Sequence, residues 1–158
     1  YTTEFKVEQQ ESFIVQIDIA KETKKPLIIH TRDAREDTIN ILTQENARDV
    51  GGILHCFTEN WEMAKKGLDL GFYISFSGII TFKNAAELRD VVAKTPLDRM
   101  LIETDAPYLT PTPYRGKPNH PGLVPYVAST IADVKGISLA EVATTTRQNF
   151  IDLFNLAL

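Results

Sequence analysis

The chain is expected to fold as an α/β protein on a parallel sheet, as part of a (β/α)8 TIM barrel. Short apolar runs alternate with helical stretches along its whole length, and three of those runs end on a histidine or a carboxylate. Strands alternating with helices imply parallel pairing through right-handed crossovers. Polar residues at successive strand ends match the C-terminal face of a barrel, where that fold carries its active sites. A full barrel takes about 250 residues, whereas 158 residues hold four strand-helix units after a leading helix. The expectation is a single domain over residues 1–158, the C-terminal four units of a barrel whose N-terminal strands are absent.

Taken in order, residues 6 to 24 read as a helix, with Phe13, Ile17 and Ala20 at helical spacing and Lys21, Lys24 and Lys25 near its negative end. Pro26 stops it and opens the strand Pro26-Leu27-Ile28-Ile29-His30. Asp33-Ala34-Arg35-Glu36 resembles a capping box for a helix through about Ala47, with Ile39 and Leu42 inward. Gly51 and Gly52 lead into Ile53-Leu54-His55-Cys56-Phe57. Residues 60 to 70 form a short helix with Trp61, Ala64 and Leu68 on one stripe, ended by Gly71. The strand from Phe72 to Gly78 alternates apolar with small polar residues, as expected beside a crowded site. Asn84-Ala85-Ala86-Glu87 is expected to cap a helix through about Ala93, and Pro96 separates it from the strand Met100 to Asp105. Two helices close the chain. Leu123, Val127 and Ile131 mark the first, which Gly136 ends; Ser138 caps the second, whose stripe includes Val142, Thr146, Phe150 and Phe154.

Composition limits the possible functions. With 43% hydrophobic and 24% charged residues the chain has the balance of a soluble globular protein. It lacks a bilayer-length apolar run and a signal-peptide pattern, so no membrane partner is expected and the cytoplasm is the default location. A net charge of -4 argues against a broad phosphate-binding surface and confines any nucleic-acid contact to a local basic patch. The single Cys56 excludes an internal disulfide framework and reads as a buried, inert thiol.

The chemistry concentrates at the strand ends. In Met100-Leu101-Ile102-Glu103-Thr104-Asp105-Ala106-Pro107, an apolar run stops at two carboxylates and a proline that cannot extend the ladder. The two-residue period puts Glu103 and Asp105 on one side of the sheet. Taken alone, Asp105 reads as the start of a turn, and a lone strand-end histidine as a hydrogen-bonded structural residue. Two of the three histidines, His30 and His55, nevertheless occupy equivalent strand ends. In neighbouring parallel strands, His30, His55 and Asp105 face one cavity, and two imidazoles with a carboxylate form a divalent-metal ligand set.

Residues 106 to 121 carry Pro107, Pro111, Pro113, Pro118 and Pro121, a constrained loop leaving the Glu103 strand. Arg115, Lys117 and His120 form a compact basic cluster within it, with Arg32 a candidate to join. On charge alone a solvated surface loop explains the cluster equally well.

The motifs Ile28-Ile29-His30-Thr31-Arg32-Asp33-Ala34, Leu54-His55-Cys56-Phe57, Tyr73-Ile74-Ser75-Phe76-Ser77-Gly78, Ile102-Glu103-Thr104-Asp105-Ala106-Pro107-Tyr108 and Arg115-Gly116-Lys117 together closely resemble the TatD family of metal-dependent deoxyribonucleases. The resemblance spans nearly the whole chain, in order. It implies a barrel of the amidohydrolase kind with one or two divalent ions (Mg, Mn, Zn or Co) at its mouth. His30, His55 and Asp105 match family metal ligands, and Glu103 matches an acidic residue beside them. The family's His-x-His pair and a further Glu ligand lie before the region these residues match. Where many relatives carry a carboxylate after the Arg-Gly-Lys loop, this chain has His120.

The resemblance further implies that Asp105 and Glu103 serve catalysis, that Arg32, Arg115 and Lys117 hold phosphates, and that DNA is digested from a 3′ end. Another hydrolase of the superfamily, acting on an amide, lactone or phosphotriester, would use the same ligands. A partial barrel that only binds metal is the non-enzymatic alternative. Four strands with two open edges are expected to associate with the absent N-terminal segment or with themselves.

Overall fold

The computed structural model describes residues 4–157. Helix α1 (Lys6–Thr23) precedes four strand-helix units: β1 (Leu27–Ile29) with α2 (Arg35–Gln44), β2 (Gly52–Leu54) with α3 (Trp61–Asp69), β3 (Tyr73–Phe76) with α4 (Ala86–Lys94), and β4 (Met100–Ile102) with α5 (Val124–Lys135). Helix α6 (Leu139–Phe154) follows. The strands form one sheet in the order β1-β2-β3-β4. Every pair is parallel, with Ile29 opposite Leu54, Leu54 opposite Ile74, and Ile74 opposite Met100. This is the α/β order that the alternation of strands and helices predicts.

The two faces of the sheet are covered unequally. Leu27, Ile29, Leu54, Ile74, Phe76 and Met100 point toward the helices and join a large core with Ile17 of α1, Leu42 of α2, Met63 of α3, Val92 of α4 and Ile131 of α5. That core supplies the main folding energy, since burying each such side chain contributes about 1.5–3 kcal/mol. The alternate residues Ile53, Tyr73 and Leu101 form a small second cluster, against which Leu153 and Phe154 of α6 pack. On β1 the corresponding Ile28 is 64% exposed. Asn149, buried in α6, donates from Nδ2 to the carbonyls of Leu97 and Met100 at 2.9 and 2.8 Å, fastening α6 to the start of β4. No single described helix is long and apolar enough to cross a bilayer.

Two expected caps are corrected. Asp33 adopts a left-handed backbone at φ 52°, and α2 starts after Ala34 without a side-chain cap. The turn after His30 uses Asp33 as its left-handed residue, whereas an N-cap needs an extended backbone to aim its oxygen at the first helical amides. Helix α2 also stops at Gln44, short of Ala47, because Asn46 turns left-handed at φ 52° and a 3-10 turn follows. Asn84 likewise does not cap α4, which begins after Ala85. Ser138 caps α6 as expected, accepting from Glu141 N at 3.1 Å, and Asn60 gives α3 a cap of the same type through Met63 N. The third strand ends at Phe76, and Gly78 opens a 3-10 turn in place of the expected strand residue.

Gly52 is required by its surroundings. Its φ is +153°, and a Cβ there would lie 2.2 Å from the Leu27 carbonyl oxygen on the adjacent strand. Gly52→Ala should therefore force β1 and β2 apart and lower unfolding free energy by about 2 kcal/mol or more. Urea unfolding checks this; an unchanged midpoint would contradict the packing of β1 on β2.

Candidate metal centre

His30, His55 and Glu103 are each the first residue beyond their strand. The ladder continues past the strands to hold two of them: His55 N donates to Ile29 O at 2.8 Å, and Glu103 N to Phe76 O at 3.0 Å. By the two-residue period they share the sparsely covered face with Ile28, Ile53 and Leu101. Beside Ser75 and Glu103 that face opens into a cavity of about 410 Å3, walled opposite by Thr146, Phe150 and Ile151 of α6.

His55 is the centre of the group. Its Nδ1 lies 3.0 Å from Glu103 Oε2, and its Nε2 lies 3.5 Å from Asp105 Oδ1. Ser75 donates to the same Oε2 at 2.5 Å. Glu103 Oε1 is 2.8 Å from the same Nδ1, so the carboxylate straddles that nitrogen, although only Oε2 meets it as a hydrogen bond. Because a carboxylate only accepts, the hydrogen bonding assigns the Nδ1 proton to the Glu103 contact. Nε2 is thereby turned toward Asp105. One potential donor atom from each of His55, Glu103 and Asp105 falls within 4.8 Å of the others.

An imidazole nitrogen and a carboxylate oxygen facing each other at 3.5 Å leave room for a cation between them. Imidazole nitrogen and carboxylate oxygen are also the donor types that first-row divalent ions take. The residues therefore fit a divalent metal ion. Of the expected ligands, His55 and Asp105 lie in this tight group. His30 stands outside it, with its ring centroid 6.1 Å from that of His55 and the planes at 54°. Glu103, read from sequence as an acidic neighbour, is fully inside.

The residues expected to hold phosphate lie farther out on the loop side. Arg32 is exposed, two residues past His30. Arg115 also braces the loop from within: its Nη1 donates to Thr110 O at 3.1 Å, and its guanidinium lies 3.7 Å over the Phe82 ring. Lys117 is exposed, with Nζ 5.8 Å from the Tyr114 ring centroid. His120 is exposed at the loop's end and donates its backbone N–H to Asn119 Oδ1 at 2.9 Å.

Two residues that sequence reasoning gave no role are central to this geometry. Asn119, 5% exposed, donates from its side chain to Tyr108 O at 2.7 Å and from its backbone to Pro107 O at 3.0 Å, closing the loop onto the segment that carries Asp105. Nothing in a polar Asn-His pair signals this. Ser75 belongs to the alternating strand that suggested a crowded site, and that alternation was the available signal.

A parallel α/β sheet with imidazole and carboxylate groups meeting at the carboxyl ends of its strands defines the class: a parallel α/β protein with its polar site where such folds place theirs. The chain belongs to the TatD family, since the family model described as TatD related DNase matches residues 1–155. It is 58% identical over 156 residues to the uncharacterized metal-dependent hydrolase YcfH of Escherichia coli K12, covering 99% of this chain and 59% of that protein. The uncharacterized metal-dependent hydrolase YabD of Bacillus subtilis is 50% identical over 148 residues, 94% of this chain and 58% of its own length. The crystal structure of YJJV, a TatD homolog from Escherichia coli K12, superimposes with a TM-score of 0.89 at 28% identity, over 99% of this chain and 61% of that one. The chain thus spans less than two thirds of each of these relatives.

Cys56, between His55 and Phe57, is buried, and its sulfur lies 3.1 Å from Ser77 Oγ. Burial pushes the thiol up to about 11, the Ser77 contact partly offsets this, and the Glu103 and Asp105 charges add to it. At pH 8 roughly one thiol in a thousand is then ionised, and the thiolate is the nucleophile. Iodoacetamide should accordingly label the native chain about 100-fold more slowly than the urea-unfolded chain at that pH; equal rates would show that Cys56 is open to solvent.

Proposed function

We propose that this chain carries the C-terminal half of the active site of a metal-dependent hydrolase that cleaves DNA phosphodiester bonds, as a 3′-5′ exonuclease. The observation that carries the reading is the His55–Glu103–Asp105 cluster, in which Glu103 takes His55 Nδ1 and leaves Nε2 facing the Asp105 carboxylate. The description of the family and the metal-dependent hydrolase names of YcfH and YabD support it. His55 Nε2 and Asp105 would hold the ion, with His30 beside them as a further ligand. A bound Mg, Mn, Zn or Co ion supplies Lewis acidity toward a phosphoryl oxygen and lowers the pKa of water. Glu103 fixes the His55 ring, and Asp105, the more exposed carboxylate, takes the proton of the attacking water. Lys117 and Arg32 hold flanking phosphates, and Arg115 offers the guanidinium N–H groups that Thr110 does not use.

The same reading makes these four units the C-terminal four of an eight-unit barrel. Strands β1 and β4 are the two edges of the sheet. Exposed Ile28 and Ile19 flank the first edge, and exposed Phe150 and Leu156 lie near the second. Further strands pairing there would hide this apolar surface and bring the remaining family ligands to the mouth.

The test is nucleotide release from single-stranded DNA with Mg or Mn, using the chain alone and with a segment supplying the N-terminal strands. Little release from the chain alone, restoration by the segment and abolition by EDTA are expected. Asp105→Asn should lower the restored rate by at least about 100-fold. Release that survives EDTA would overturn the reading. Lys117→Ala should weaken DNA binding without changing the melting temperature. Arg115→Ala should lower both, since it also removes the Thr110 bond and the Phe82 contact; a shift in stability alone would remove Arg115 from the phosphate site.

A further inference from the structure

We infer that Ser75 is a positioning residue for the proposed metal centre: by holding Glu103 it fixes the orientation of the His55 ring, and so the direction in which Nε2 faces the ion. The inference rests on the reading of that centre as a metal site.

Ser75 lies on the interior strand β3 and is 2% exposed. Its carbonyl accepts from Phe57 N at 2.9 Å, so the backbone that carries its hydroxyl is tied to the segment just past His55. On the face it shares with Ile53, Tyr73 and Leu101, an alanine would pack as well, and the hydroxyl is justified only by what it bonds. That bond goes to Glu103 Oε2, the oxygen that also meets His55 Nδ1.

Two donors on one oxygen fix the carboxylate plane. The carboxylate straddles Nδ1 in that plane, and the ring is held with Nε2 toward Asp105. Without the Ser75 hydroxyl, Glu103 is held by His55 alone and turns with it, and the ring no longer has one preferred orientation. Groups that orient a metal-binding histidine in this way typically change affinity by about 10–100-fold when removed.

The experiment compares the wild type, Ser75→Ala and Ser75→Thr, which keeps the hydroxyl, without metal and then titrated with Co2+. Spectra of the ring carbons in histidine-labelled, metal-free chain should show one sharp His55 ring environment in the wild type and a broadened or doubled one in Ser75→Ala. Co2+ binding should weaken about tenfold or more in Ser75→Ala, with Ser75→Thr closer to the wild type in both measurements. Identical ring spectra in the wild type and Ser75→Ala would overturn the inference. So would the same broadening in Ser75→Ala and Ser75→Thr, because the hydroxyl would then not be the cause. A wild type with one ring environment that Ser75→Ala loses, and that binds no Co2+, would uphold the positioning role and refute the metal centre instead.

Discussion

The carboxylate of Glu103 is the constraint on which the site depends. The parallel ladder carries it one residue past β4 and holds it there through the Phe76 carbonyl, where one oxygen meets His55 and Ser75 and the other lies 2.8 Å from the same His55 nitrogen. With Nδ1 taken by Glu103, Nε2 is the ring nitrogen left to face Asp105, and a cation between Nε2 and the Asp105 carboxylate is the use that these donor atoms fit. The same ladder holds His55 through the Ile29 carbonyl. The relative placement of imidazole and carboxylate is therefore a property of strand register and does not depend on loop conformation.

The Pro-rich loop serves this arrangement from outside. It passes so close to the turn after β3 that a Cβ on Gly78 would come within 2.1 Å of the Leu109 carbonyl oxygen. Asn119 closes the loop on Pro107 and Tyr108 just after Asp105, while Thr112 bonds to Thr81 and Arg115 lies over Phe82. Asp105 leaves the sheet through a segment fastened at both ends. This is how a carboxylate three residues past its strand stays 3.5 Å from the His55 ring.

The elements that depend on hydrophobic period were legible in the sequence. The order of strands and helices, the equivalent strand ends of His30 and His55 and the cap at Ser138 follow from local pattern, and the structure has them. The caps assigned to Asp33 and Asn84 did not form, because an Asp or Asn before a helix also suits the turns that precede it, and the backbone conformation that chooses between them is set by packing. The rank of the site residues was hidden for a related reason. Strand position puts His30 and His55 on the same footing, yet only the side-chain geometry brings Glu103 into the tight group and leaves His30 at its edge. Ser75 acts through one long-range hydrogen bond and Asn119 through side-chain and backbone bonds across its loop, for which no period or spacing exists.

The central claim is that His55, Glu103 and Asp105 form one cation site. Crystals soaked in Mn2+ and measured by anomalous diffraction test it directly. An anomalous peak within coordination distance of His55 Nε2 and the Asp105 carboxylate, with Glu103 still held on His55 Nδ1, is the predicted result. A peak elsewhere on the chain, with these three side chains still bonded to one another as they are now, would contradict the account.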